Sequence, residues 1–414
     1  MKVFDIIKNI KNKNIFNKFF IIFLFIFLNF IFFSQANQNT DPNSKNLETD
    51  IEFNKMEYET EEIIPINLDK PKYIRGIHIS AWAAGSSKFI ARYEKIIQNT
   101  EINTIVIAVK EANGEVYIDG VAKTKKIGAY KKAMPKIKEY IDYLHTNQVF
   151  VIARIVLFKD PILAKKEPDL AVKDSSGNIW KDYKGLSWVD PFNKKTWEYN
   201  FEVVDACLEA GFDEIQFDYI RYPSDGNIKE CKYTVEFSST NAVNNLIEFL
   251  KETDKRYGHK TRISIDIFGL VISSNDGLGI GQVIEKFEPY VDAISPMMYP
   301  SHYAKGSYGL KEPNKSPYKT IYYGMISGKK KLKENSYKYI PYLQDFNMGY
   351  KYGIYEIREQ IQGLYDNDIG EWILWDPKSL YTTDALLPKS ESDKYRNMRK
   401  EREIREMKEL EEIT

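Results

Sequence analysis

Residues 211–226 read GFDEIQFDYIRYPSDG, and the alternation inside this stretch decides the fold. A strand turns successive side chains to opposite faces. If Ile215, Phe217 and Tyr219 share one face, Gln216 and Asp218 share the other. A buried carboxylate is costly without a partner, so an inward Asp218 needs a reason.

Working outward, seven further apolar runs read as strands: YIRGIHISAW, INTIVIAVK, VFVIARIVLF, RISIDIFGL, VDAISPMMY, YIPYLQDF and EWILWD. Amphipathic helical patterns separate them, among them AMPKIKEYIDYLHTNQ and KTWEYNFEVVDACLEAG, the second stopped by Gly211. Strands alternating with helices point to a parallel sheet. Eight of them fit an α/β fold of the (β/α)8 TIM-barrel type, with a doubly wound open sheet as the alternative. The expected division is a leader at 1–36, a linker at 37–71, the barrel at 72–388 and a charged helical tail at 389–414.

The leader pairs Lys2, Lys8, Lys11, Lys13 and Lys18 with an apolar run from Phe19 to Phe33, broken only by Asn29. Ser34 and Ala36 supply small residues for cleavage, and the run is short for a spanning helix. The expectation is an exported barrel, whether secreted, periplasmic or anchored through this segment. The formal charge of the 414-residue chain is zero, which gives no field for nucleic acid. The two cysteines, Cys207 and Cys231, leave a bridge open.

In a barrel of this kind, catalytic groups sit at the C-terminal strand ends. Those ends carry Arg154 on strand three, Gln216 and Asp218 on strand four, and Ser264 and Asp266 on strand five. Strand six adds Ser295 and Tyr299, strand seven Gln344 and Asp345, and strand eight Trp372 and Asp376. With Ile263, Ile265 and Ile267 facing outward, Asp266 faces inward beside Asp218. Paired carboxyl groups are what glycosidic cleavage requires, one as acid and one as nucleophile or base. The plainer reading makes Asp218 half of an ion pair with Arg154 or Arg221 that props the strand ends. Arginine there fits a nucleophile held ionised, and equally a clamp on an acidic substrate. Trp82, Trp188, Tyr222, Tyr299, Tyr303 and Trp375 near the same ends are candidate sugar-stacking rings, although large aromatics are more often core. GLGIGQ (277–282) lacks the setting of a phosphate loop, and the four histidines lack metal-ligand spacing.

The motifs IARIVLFKDP, WVDPF, FDEIQFDYIRYP, IDIFG, ISPMMYPSHY and YLQDF, in this order between about Arg75 and Pro377, resemble a bacterial family of glycoside-hydrolase-type domains, formerly a domain of unknown function. The resemblance implies a TIM barrel distantly similar to the α-amylase group. Carried over by position, it makes Asp218 the nucleophile candidate and Asp266 the acid candidate. Two departures stand out: Ala108 replaces a strand-two Asp, and the acid is Asp where the amylase group uses Glu. The resulting expectation is an exported glycoside hydrolase that takes a carbohydrate substrate and no cofactor. Arg154, Gln216, Arg221, Tyr222, Tyr299, Gln344, Asp345, Trp375 and Asp376 would position the sugar, with Asp345 and Asp376 also runner-up acids. The alternative is a non-catalytic glycan-binding or structural barrel.

Overall fold

The computed structural model describes residues 68–391. The leader, the linker up to residue 67 and the tail beyond residue 391 lie outside the described residues. Eight parallel strands close into a barrel in sequence order. They are β1 (Arg75–Ile79), β2 (Thr104–Lys110), β3 (Phe150–Val156), β4 (Glu214–Asp218), β5 (Arg262–Phe268), β6 (Ala293–Met297), β7 (Tyr342–Gln344) and β8 (Trp372–Trp375). The pairing of Arg75 with Trp372 and Ile77 with Leu374 shuts the ring and removes the open-sheet alternative.

Each crossover carries a helix packed on the barrel: α1 (Ser87–Asn99), α2 (Ile137–Thr146), α3 (Lys194–Ala210), α4 (Ser239–Tyr257), α5 (Ile284–Phe287), α6 (Pro317–Leu332) and α7 (Ile354–Tyr365), with short extra helices at Ala81–Ala84, Ala122–Ile127 and Pro161–Lys166 in the first three. Local chemistry sets their ends. The Asn193 side chain accepts from the Lys195 N–H to start α3, and Gly211, at φ +95°, stops it where a Cβ would be strained. Ser238 caps α4 by accepting from the Asn241 N–H.

Strand alternation divides the core in two. Ile215, Phe217, Ile263, Ile265 and Ile267 join the cluster between barrel and helices. There Phe217 meets Phe249 of α4 edge-on at 5.4 Å, and Phe249 stacks on Phe201 of α3 at 5.5 Å. Burying a ring of this size contributes about 1.5–3 kcal/mol, so α3 and α4 fix the outer face of β4 firmly. The inner cluster comprises Val106, Phe150, Ile152, Ala293, Tyr342 and Ile373 among others. It is apolar on much of the wall but gives way to polar side chains along β3, β4 and β5.

The floor of the barrel, at the N-terminal strand ends, receives both ends of the described chain. Leu68 packs against the inner cluster, and its N–H donates to Asp213 Oδ1 at 2.8 Å. Lys70 pairs with Glu371. At the other end the Leu387 N–H donates to Glu101 Oε1 at 2.8 Å, and Pro388 bridges to Thr100. Lys389 shares one floor cavity with Lys72 and Tyr73. Cys207 and Cys231 are buried free thiols. Among the described residues no helix is long and apolar enough to cross a membrane.

Candidate active site

The polar part of the barrel interior rises in three tiers. Lowest, Glu214 pairs with Arg262 at 3.0 Å. Above it, Gln216 accepts from the Tyr342 hydroxyl at 2.6 Å and donates to Ser295 Oγ at 3.3 Å. At the mouth, Asp218 and Asp266 stand on neighbouring strands. Because Phe217 pairs with Ile265, the next residue of each strand, Asp218 and Asp266, lie side by side.

Arg154 joins them. Its Nη2 donates to Asp218 Oδ2, and its Nε lies 3.5 Å from Asp266 Oδ2. A third carboxylate, Glu111 just beyond β2, reaches its Nη1 at 3.3 Å. One guanidinium thus touches both carboxyl groups, so acid and base candidates share a single site.

Their surroundings differ in kind. Asp218 faces donors: the Arg154 guanidinium and the N–H of Tyr219 at 2.6 Å. Both complement negative charge. Asp266 is 1% exposed, and its Oδ1 has no hydrogen-bond partner. Burial, then the charge of Asp218, holds its carboxyl well above the usual range, with Arg154 opposing. A raised carboxyl beside one that faces donors can divide the labour of acid and base.

The backbone after Asp218 is strained. Tyr219 takes φ +52°, where a bulky residue is uncommon. Its ring packs on Trp188 at 5.7 Å, and the Arg221 guanidinium lies 4.6 Å over it. These contacts offset a backbone cost of about 1–3 kcal/mol and swing the chain away from the mouth.

The other expected residues divide by what their side chains touch. Tyr299 and Trp375 stack at 5.4 Å, with Phe346 edge-on to Trp375 at 5.2 Å, forming an aromatic wall. Burial, then the charges of Asp266 and Asp218, raises the Tyr299 hydroxyl far above its ordinary value. Gln216 has both amide atoms engaged one tier below the carboxylates.

Five residues turn to scaffold. Arg221 lies between the Trp188, Tyr219 and Phe268 rings and donates to the Tyr222 carbonyl at 3.0 Å. Tyr222 is buried against Phe192, Tyr233 and Phe237, and its hydroxyl accepts from Asn245. Gln344 accepts from the Ser301 N–H and donates to the Phe346 carbonyl, tying together the loops that carry the aromatic wall. Asp345 accepts from the Thr382 N–H and hydroxyl, both at 2.8 Å. Asp376 accepts from the N–H groups of Lys378 and Leu380. Backbone N–H groups in a tight loop need acceptors, and these two carboxylates supply them.

Four site residues escaped the sequence reading. Glu111 immediately follows the β2 run. His78 occupies an inward slot of β1 between Ile77 and Ile79, visible by the alternation that exposed Asp266. Tyr342 has the same signal beside outward Leu343. Gln282, the last residue of GLGIGQ, carries no local signal. It accepts from the Phe268 N–H and reaches the Ile220 and Asp266 carbonyls, stitching the ends of β4 and β5 together.

The sequence profile of a family described as "Putative glycosyl hydrolase domain" matches residues 76–381. A hypothetical protein from Ruminiclostridium thermocellum ATCC 27405 is 33% identical over 46% of this chain and 96% of its own, with a TM-score of 0.42. The PgaB (BpsB) glycoside hydrolase domain from Bordetella bronchiseptica is 11% identical over 74% of this chain and 95% of its own. Its TM-score of 0.57 marks a shared fold. The maltogenic α-amylase AmyB from Thermotoga neapolitana is 13% identical over 74% of this chain and 69% of its own, with a TM-score of 0.43. No curated protein matches the chain.

Proposed function

This chain belongs to the family described as "Putative glycosyl hydrolase domain", and on that premise we propose that it is an exported glycoside hydrolase cleaving a polysaccharide or oligosaccharide with Asp218 and Asp266. Asp218 serves as nucleophile or base at the anomeric carbon. Asp266 donates its proton to the departing glycosidic oxygen as the C–O bond breaks. Gln282 and Arg154 hold the two strand ends in register, and the Tyr299–Trp375 stack offers a flat apolar face to a sugar ring. Export rests on the basic and apolar leader at residues 1–36.

The observation that carries this reading is the unequal pair on one guanidinium. Asp218 is met by a guanidinium and a backbone N–H, whereas burial and the charge of Asp218 hold the Asp266 carboxyl well above its usual range and leave one of its oxygens bare. A non-catalytic glycan-binding barrel draws support from the grip of Arg154 on Asp218. The unpartnered Asp266 Oδ1 weighs against it, since an ion pair that only props strands needs no free acid.

The test is product release from a panel of α- and β-linked oligosaccharides and cell-wall polysaccharides, with folded Asp218→Asn and Asp266→Asn variants alongside. Cleavage by the parent that both variants lose supports the assignment. Glycan binding without cleavage, unchanged in the variants, refutes it.

A further inference from the structure

The next inference deepens the hydrolase reading and rests on it: we propose that the sugar seated against Asp218 and Asp266 is uncharged, and that His78 reads one of its hydroxyls.

His78 points into the barrel from the end of β1, is 5% exposed, and has no hydrogen-bond partner at either ring nitrogen. The residue itself is firmly held. Its carbonyl accepts from the Tyr381 hydroxyl, and its ring meets Tyr342 edge-on at 6.4 Å. Leaving a buried polar group unpaired costs about 1–3 kcal/mol, and native proteins retain few such groups. The contrast is His145, equally buried, whose Nε2 pairs with Asp213 at 2.9 Å. A histidine that serves only the core takes a partner in that way.

A second bare atom, Asp266 Oδ1, belongs to the same end of the interior. The His78 ring meets Tyr342, whose hydroxyl donates to Gln216 one tier below Asp218, and Arg154 bridges Asp218 to Asp266, so His78 faces the same polar interior as the pair. Burial first, then Arg154, keeps the imidazole well below its ordinary value and therefore neutral. A neutral imidazole presents one donor and one acceptor, the complement of a hydroxyl, which both donates and accepts.

The charges around the mouth set the class of sugar. Arg154 faces Asp218, Asp266 and Glu111. Lys110 pairs with Asp160 at 3.0 Å and Lys159 with Asp182 at 2.6 Å. Arg221 is sandwiched by aromatic rings. A uronate or sulfate beside the carboxyl pair would meet like charge with each of these cations already engaged. The earlier option of an arginine clamp on an acidic substrate therefore falls away.

The experiment compares wild type, His78→Phe and His78→Gln on chromogenic neutral and uronic-acid glycosides and oligosaccharides. Neutral substrates should be cleaved, with kcat/KM for the matching uronides at least 100-fold lower. His78→Phe should lose about 10- to 100-fold in kcat/KM, mainly through KM, whereas His78→Gln, which restores one donor and one acceptor, stays within a few-fold. The Tm of His78→Phe should equal or exceed that of wild type, because an unsatisfied group is gone. A histidine that only packs would lower Tm and leave the kinetics of the folded variants alike. That result, or a preference for uronides, overturns the inference. If wild type cleaves nothing, the hydrolase reading fails separately, and calorimetric titration with malto-, chito- and galacturono-oligosaccharides decides. Neutral binding weakened by His78→Phe but not His78→Gln sustains the inference. Galacturonate binding, or no binding, ends it.

Discussion

Replacing Asp266 with asparagine should inactivate the protein and stabilise it. The carboxyl is 1% exposed, lies beside Asp218, and has one oxygen without a partner. Between the ordinary carboxylate range near pH 4 and its raised native value, the folded state holds a proton that the unfolded state has released. The folded state then binds more protons, so wild-type stability falls as pH rises through this window. The substituted amide would not titrate, and it can turn its oxygen toward Arg154. The gain should be about 1–3 kcal/mol at pH 8, the penalty of one unsatisfied buried polar group, and should shrink toward pH 4. Activity should fall by about 10²–10⁴-fold, the usual contribution of a general acid. Urea unfolding of both proteins at pH 4, 6 and 8, beside an activity assay, reads all three effects. A variant less stable than wild type at pH 8 would mean that Asp266 is an ionised support for Arg154, and the acid assignment would be wrong.

Other perturbations test the frame around the pair. Lys110→Met removes a fully buried ammonium that pairs with Asp160 and donates to the Val156 and Leu157 carbonyls. It should cost about 3–5 kcal/mol in urea unfolding, much of it recovered in Lys110→Met/Asp160→Leu, because the unpaired charge does the damage. Tyr342→Phe strips Gln216 Oε1 of its 2.6 Å donor and should cost about 1–3 kcal/mol; an unchanged unfolding midpoint would remove the middle tier from the argument. Burial pushes Asp345 up to about 7 against its bonds from Thr382, so a carbon-detected NMR titration of the folded protein should find its midpoint there. Its contribution to stability is complete below about pH 4 and is lost as pH rises toward 7; a midpoint below 5 would contradict this.

The eight strands were legible because each is a short apolar run bounded by a helical pattern, and period-two arithmetic on β4 and β5 aimed Asp218 and Asp266 inward. That arithmetic says which face a residue takes but not what it meets there. Asp345 and Asp376 read as strand-end acids like Asp218, yet both lie past their strands and accept from loop N–H groups. Arg221 and Tyr222 follow Asp218 in sequence, but the left-handed turn at Tyr219 carries them into the layer outside the barrel. The same period-two arithmetic turns His78 inward, but nothing in the sequence shows that its ring lacks a partner there. Gln282 was out of reach of local pattern, since its partners lie on β5 and the loop between β4 and α4, 14 or more residues away.

Both ends of the described chain leave through the barrel floor, around one cavity that Lys72, Tyr73 and Lys389 share. Neighbouring termini make the order of the (β/α) units a circle cut at an arbitrary point. A short linker from residue 391 to residue 68, with new ends opened in the exposed turn at Ser175–Gly177, gives a permuted chain in which every pairing from β1 to β8 is retained. In such a permutant Arg154 and Asp218 would sit at opposite ends of the sequence while remaining partners at the mouth.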